Sequence, residues 1–141
     1  MRQYFRRGIA KVSDKTSHMT LRPYTPTDAG QLGAFEYWTN ALRHCGTALS
    51  APNTIFLLCL NGTEPIGIIC GENTALYGNI LYAAEVLKPY RNRGVMRKMF
   101  SAYLNRAAGS VTVFHNTELD GLYSSLGFEV GENTHVSLYV K

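Results

Sequence analysis

The sequence has no apolar run long enough to cross a bilayer as a helix. Its longest uninterrupted stretches, such as Ile55 to Leu60, fall far short of the roughly 18 residues that a span requires. A soluble protein with no membrane partner is expected. Cysteine is scarce: Cys45, Cys59 and Cys70 are an odd number, and none sits in a CxxC or histidine-rich spacing, so no metal site is expected. Two of them fall in an expected hairpin, Thr54 to Leu60 and Pro65 to Gly71 around Asn61-Gly62-Thr63-Glu64. The simplest register there sets Cys59 opposite Ile66 and away from Cys70, which argues against a disulfide. Unpaired cysteines fit a reducing compartment, and the cytoplasm is the expected location. Internal repeats and low-complexity tracts are absent too, and 141 residues with 45% hydrophobic content suit one domain.

Acidic residues are missing from the places where the basic ones gather. The net charge is +4, and the first 18 residues carry Arg2, Arg6, Arg7, Lys11 and Lys15 against Asp14 alone. Their Phe5, Ile9 and Val12 stand at helical spacing, as in organelle-targeting peptides, but no cleavage signal follows. Residues 1–18 are read as a basic N-terminal extension and 19–141 as the folded domain. In the electrically balanced remainder, Lys88, Arg91, Arg93, Arg97 and Lys98 lie within eleven residues that hold no acid. A solvated face explains many charge runs. The glycine inside this one favours an anionic ligand.

The order of elements follows from periodicity and turn residues. Thr20 to Tyr24 reads as a strand, and Thr25-Pro26-Thr27-Asp28 as the start of a helix that continues toward Gly46. After the hairpin, Asn79 to Leu87 is apolar on both alternations, as in a central strand. Val95, Met96, Met99, Phe100, Tyr103 and Leu104 then form the stripe of an amphipathic helix ending near Gly109. Ser110 to His115 alternates as a strand, a short helix runs from Thr117 to a left-handed Gly127, and Phe128 to Val130 with His135 to Val140 close the sheet. The expected class is a single α+β domain with a mixed, mostly antiparallel sheet flanked by helices.

Between Val86 and Met96 the chain runs from a strand through a tight basic turn directly into a helix. The first N–H groups of a helix have no intrahelical partners, the macrodipole is positive there, and Gly94 lets the backbone approach a phosphate closely. Arg91 and Arg93 add directional donors for phosphate oxygens. Neither GxxxxGK[ST] nor GxGxxG is present, so this is not a Walker loop or a dinucleotide fingerprint.

Val86 to Met96 resembles the pyrophosphate-binding motif of the GNAT superfamily of N-acetyltransferases, [Q/R]xxGx[G/A], with Arg91 first and Gly94 fourth. Asn116, Tyr123 and Leu126-Gly127-Phe128 resemble that family's second signature. The likeness covers about residues 20–141 and departs at Met96, where the family has Gly or Ala.

The resemblance implies a GNAT fold with two central strands splayed around acetyl-CoA, and direct transfer of its acetyl group to a primary amine of a small molecule or protein. It implies that the backbone of Val86, Leu87 and Lys88 pairs with the pantetheine arm. The turn and helix start, from Arg91 through Asn92, Arg93, Gly94, Val95 and Met96 to Arg97, would hold the pyrophosphate. Asn116 would bond the pantetheine chain, and Tyr123 would lie beside the sulfur as general acid. A phenol near about 10 can protonate a thiolate whose conjugate acid lies near about 8.5. Tyr123 also belongs to an apolar helical stripe with Leu119, Leu122 and Leu126, so core packing is its alternative reading.

The general base is less legible. Strand positions that carry it in some family members are Ile80 and Tyr82 here, and Ile80 cannot titrate. Tyr82, Glu72, Glu85 and His115 remain, with Glu85, next to an expected strand bulge, and His115 preferred for their nearness to the inferred groove. Three other readings stay open. The first is a non-catalytic acyl-CoA-binding regulator of the same fold, and the second an enzyme for longer acyl chains. The third is a basic nucleic-acid-binding module, against which counts the single aromatic, Tyr90, in the 88–98 cluster. The acceptor would be chosen by about Phe35 to Pro52, including Glu36, Tyr37, Trp38 and His44, and by the last hairpin near Val130 to Val136. A homodimer through the closing strands is the open question of assembly.

Overall fold

The computed structural model describes residues 19–36, 52–76, 78–115, 117–130 and 136–139. The basic extension, the greater part of the expected acceptor loop with Tyr37, Trp38 and His44, Cys45, Asn116, and residues 131–135 of the last hairpin lie outside them. The elements are β1 (Met19–Pro23), a 3₁₀ turn (Pro26–Gln31), β2 (Thr54–Asn61), β3 (Glu64–Thr74), β4 (Gly78–Val86) and a second 3₁₀ turn (Lys88–Tyr90). They continue with α1 (Val95–Arg106), β5 (Val111–Phe114), a third 3₁₀ turn (Thr117–Leu119), α2 (Asp120–Ser125), β6 (Glu129–Val130) and β7 (Val136–Tyr139). The seven described strands form one sheet in the order β1-β2-β3-β4-β5-β7-β6, antiparallel throughout except for the parallel pair β4–β5.

Because successive strand residues point to opposite faces, the long apolar strands β2, β3 and β4 supply two cores at once. On one face Leu57, Cys59, Ile69, Leu81 and Val86 pack with the α1 stripe of Val95, Met99, Phe100, Tyr103 and Leu104. On the other, Phe56, Leu58, Ile68, Cys70 and Ala83 pack with Leu32 and Phe35. Phe100 and Tyr103 are at most 2% exposed, and burial of side chains of this size contributes about 1.5–3 kcal/mol each.

Several expectations are corrected. The helix begun by Thr25 and Pro26 is 3₁₀ over Pro26–Gln31 and stops at Leu32. Gly30 and Gly33 weaken α-propagation there, and the segment from 37 to Gly46 lies outside the described residues. Helix α1 ends at Arg106, before Gly109, because buried Ala107 turns extended and the Asn79 amide donates to the carbonyls of Ala108 and Ser110. In the hairpin Cys59 faces Gly67, since Leu60 pairs with Pro65 and Ile66 is left as the extra residue of a bulge. Cys70 faces Phe56, and both cysteines are buried and outside any disulfide. Burial pushes the Cys59 thiol up to about 11 against a smaller opposing pull from Lys98, which disfavours its thiolate. The β3–β4 bulge falls at Tyr82, and Glu85 sits in regular pairing with Ile68. Gly127 has φ of 95° just past α2, as expected of its C′ position.

Candidate acyl-donor site

Strand β4 pairs with β5 only through Asn79, Ile80 and Leu81, opposite Val111, Thr112 and Val113. Beyond Leu81 no ladder joins the two parallel strands among the described residues. A cavity of about 450 Å³ lies at the end of β4, walled by Ala84, Glu85 and Val86, by the turn and first residues of α1, and by Leu122 and Leu126 of the α2 region.

The turn is shaped by two left-handed residues, Asn92 at φ 62° and Gly94 at φ 82°. Asparagine tolerates that region and glycine occupies it freely. Gly94 caps α1, and the first intrahelical bond runs from the Lys98 N–H to the Gly94 carbonyl at 3.1 Å. The N–H groups of Val95, Met96 and Arg97 therefore precede the helical ladder, and all three residues line the cavity. Arg91, Asn92 and Gly94 line it as well. Basic side chains and helix-start donors thus meet an apolar wall of Val86, Val95, Leu122 and Leu126. The arrangement suits an elongated ligand with a polyanionic part and a less polar arm.

The arginines differ in their commitments. Arg91 donates from Nε to the Val86 carbonyl at 2.8 Å, so that carbonyl, expected to pair with pantetheine, already has a protein partner. Arg97 donates to the Ser125 carbonyl at 3.1 Å, tying the first turn of α1 to the end of α2. Arg93 is half-buried, and its Nε has no hydrogen-bond partner. Met96 does not turn away from the cleft: it is half-buried, lines the cavity and packs against the α1-side core. Leu87, Lys88 and Arg93 are not in the wall. Leu87 is held by its N–H to the Ile66 carbonyl at 2.9 Å, and Lys88 is exposed. Tyr90, Ala84, Leu122 and Leu126 are wall residues that the sequence reading did not assign to the site. The apolar periodicity of Leu122 and Leu126 was visible, but it reads equally as core. Tyr90 donates to Glu64 across the hairpin at 3.1 Å, which no local pattern encodes.

The candidate acid Tyr123 packs with one candidate base, His115, and lies across the sheet from the other, Glu85. Tyr123 is 8% exposed and sits edge-on to Phe100 and Phe128, behind the wall formed by its neighbours on α2. His115 stacks on it with ring centroids 4.4 Å apart and is likewise buried. Glu85 is 5% exposed, points to the face that carries Leu32 and Phe35, and lines the cavity. Its Oε2 accepts the Glu36 N–H at 3.1 Å. Tyr82 donates to Glu72 at 2.6 Å, and neither borders the cavity. Among the described residues no cluster of His, Cys, Asp and Glu could hold a metal ion, and no helix is long and apolar enough to cross a membrane.

No protein-family model and no curated protein matches the sequence. Solved structures do match the fold. A GNAT family N-acetyltransferase of Escherichia coli, crystallised with CoA, superposes with a TM-score of 0.68 at 17% identity, over 87% of this chain and 81% of that one. An acetyltransferase of Thermus thermophilus gives 0.66 at 18% identity, over 87% and 96%. A GNAT family acetyltransferase of Brucella melitensis in complex with acetyl-CoA gives 0.60 at 18% identity, over 87% and 88%. The chain has the fold of the GNAT acetyltransferases.

Proposed function

We propose that this protein is a GNAT N-acetyltransferase that binds acetyl-CoA in the cleft beside β4 and passes the acetyl group directly to a primary amine. One observation carries the reading: the left-handed turn at Gly94 brings the helix-start N–H groups, with Arg91 and Arg97, into a cavity that opens where β4 parts from β5. The pyrophosphate would take the Val95, Met96 and Arg97 N–H groups and the free donors of the arginines. The pantetheine arm would run along Val86 and the apolar wall. The structural relatives crystallised with CoA and acetyl-CoA support this choice of donor.

In the transfer the amine nitrogen attacks the thioester carbonyl, the C–S bond breaks, and the thiolate takes the Tyr123 hydroxyl proton. Of the preferred bases, Glu85 lines the cavity and His115 does not. Glu85 therefore takes the amine's proton, directly or through a water, and passes it to solvent, from which Tyr123 is reprotonated. The folded domain of residues 19–141 would act in the cytoplasm. Calorimetric titration of acetyl-CoA tests the reading. An Arg91→Ala, Arg93→Ala double variant should bind at least about tenfold more weakly than the parent, as expected for lost charge-assisted hydrogen bonds. Failure of the folded parent to bind acetyl-CoA would sink the proposal.

A further inference from the structure

Asp120 carries a buried oxygen that the reading above does not use. Its Oδ1 has no hydrogen-bond partner, although the side chain as a whole is 42% exposed and its carboxylate could have turned to water. The nearest cation-forming group is His115 Nδ1, 3.7 Å away, on a ring whose side chain is 2% exposed. That ring lies against Tyr123 with its plane inclined by 28°. Phe100 and Phe128 meet Tyr123 edge-on, and Phe100 and Phe128 are edge-on to each other. The phenol is thus walled by two phenylalanines and an imidazole. The imidazole has the Asp120 carboxylate 3.7 Å from its Nδ1.

We propose that Asp120 and His115 are positioning residues for Tyr123. Asp120 draws the Nδ1–H of His115 toward itself and sets the tilt of the imidazole, and the imidazole sets the plane in which the Tyr123 hydroxyl swings. A carboxylate behind Nδ1 fixes one tautomer and one ring orientation. Aromatic rings in contact prefer particular mutual orientations, so the tilt of one biases that of its neighbour. Three residues spanning one connection, from the end of β5 to the first turns of α2, thereby form a rigid support. The inference rests on Tyr123 as the proton donor to the CoA sulfur. In that step the hydroxyl proton moves to sulfur as the C–S bonding pair leaves with it, and neither Asp120 nor His115 gains or loses a proton.

The support is read through the sulfur contact itself. Calorimetry with CoA and with desulfo-CoA, which lacks only the thiol, yields a ratio of dissociation constants that isolates the Tyr123–sulfur interaction. One hydrogen bond of about 1 kcal/mol makes that ratio about fivefold in the parent. Tyr123→Phe should bring it to one. Asp120→Ala and His115→Ala should lower it at least twofold while the affinity for desulfo-CoA stays within twofold, and Asp120→Asn, which keeps an acceptor oxygen on the Nδ1 side, should restore it. In a Tyr123→Phe background Asp120→Ala should change nothing further. An unchanged ratio in Asp120→Ala, or equal loss of both affinities, would overturn the proposal. So would a ratio of one in the parent, which removes the Tyr123 role while acetyl-CoA binding stands. No binding of either ligand would remove the donor site with it.

Discussion

The guanidinium of Arg22, at the end of β1, grips both carboxylate oxygens of Asp28 in a two-pronged contact, Nη1 to Oδ2 at 2.9 Å and Nη2 to Oδ1 at 2.7 Å. Asp28 also accepts the Thr25 N–H at 2.8 Å and is 5% exposed, so one side chain joins β1 to the 3₁₀ turn that starts the second core. The Arg22 hydrogen bond, opposed by burial and aided by the Thr25 bonds, holds the Asp28 carboxyl well below the usual carboxylate range. A depressed folded-state value stabilises the fold fully above the unfolded value, near about 3.9, and the contribution is lost as pH falls through the folded one. Asp28→Ala should cost about 1–3 kcal/mol at pH 7, because it strands the Thr25 N–H and frees Arg22. Urea unfolding should show the gap between parent and variant narrowing below about pH 4.

Met96 stands where the resembling motif has Gly or Ala, and the structure places its thioether chain in the cavity wall. A bound pyrophosphate would have to order or displace that flexible chain. Immobilising such a side chain costs about 0.5–1.5 kcal/mol, and Met96→Ala should therefore tighten acetyl-CoA binding by about two- to tenfold. Unchanged or weaker binding by calorimetry would show that the methionine is a favourable contact.

Glu85→Gln is the sharpest test of the base. The amide can still accept the Glu36 N–H through its oxygen, so the fold should be retained. Loss of a general base lowers turnover by about a hundredfold or more. Release of CoA thiol with a primary-amine acceptor should fall by that factor at pH 7, with the KM for acetyl-CoA within about twofold. A variant as fast as the parent would hand the proton to another group.

Local signals were readable where one residue type has one physical use. Gly94, between a strand and an amphipathic stripe, was readable as the tight turn that opens a helix, and the chain turns there through a left-handed residue. The near-continuous apolar run of β4 likewise announced a central strand buried on both faces. Pairing was harder, because the bulges at Ile66 and Tyr82 leave no mark in composition and each shifts the register by one. The same limit hid the role of Asp120. As a helix N-terminal acid it looks like ordinary capping chemistry, and only the folded connection brings it to His115 and sets that ring on Tyr123.

Gly71 offers a stability test that is independent of any ligand. It lies in β3 beside a β4 bulge, and a Cβ built there would collide with the Tyr103 hydroxyl, the Ile80 carbonyl and the Leu81 Cα. Two of these contacts are backbone of the adjoining strand and cannot swing aside. Tyr103 itself is fully buried in the α1 stripe, so its ring has nowhere to retreat. Gly67 is the contrasting case: its added Cβ would meet chiefly the sulfur and terminal methyl of Met99, the far end of a flexible chain. Overpacking of a rigid site costs about 1–3 kcal/mol or more, whereas a methionine end can re-rotate within a core at less expense. Gly71→Ala should therefore lower the thermal midpoint by several degrees, about 5 °C or more for a domain of this size, and by clearly more than Gly67→Ala. Equal midpoints for the two variants, measured by calorimetric melting, would mean that β3 and β4 can shift at the bulge, and that the close approach of α1 to β3 is not what requires glycine at position 71.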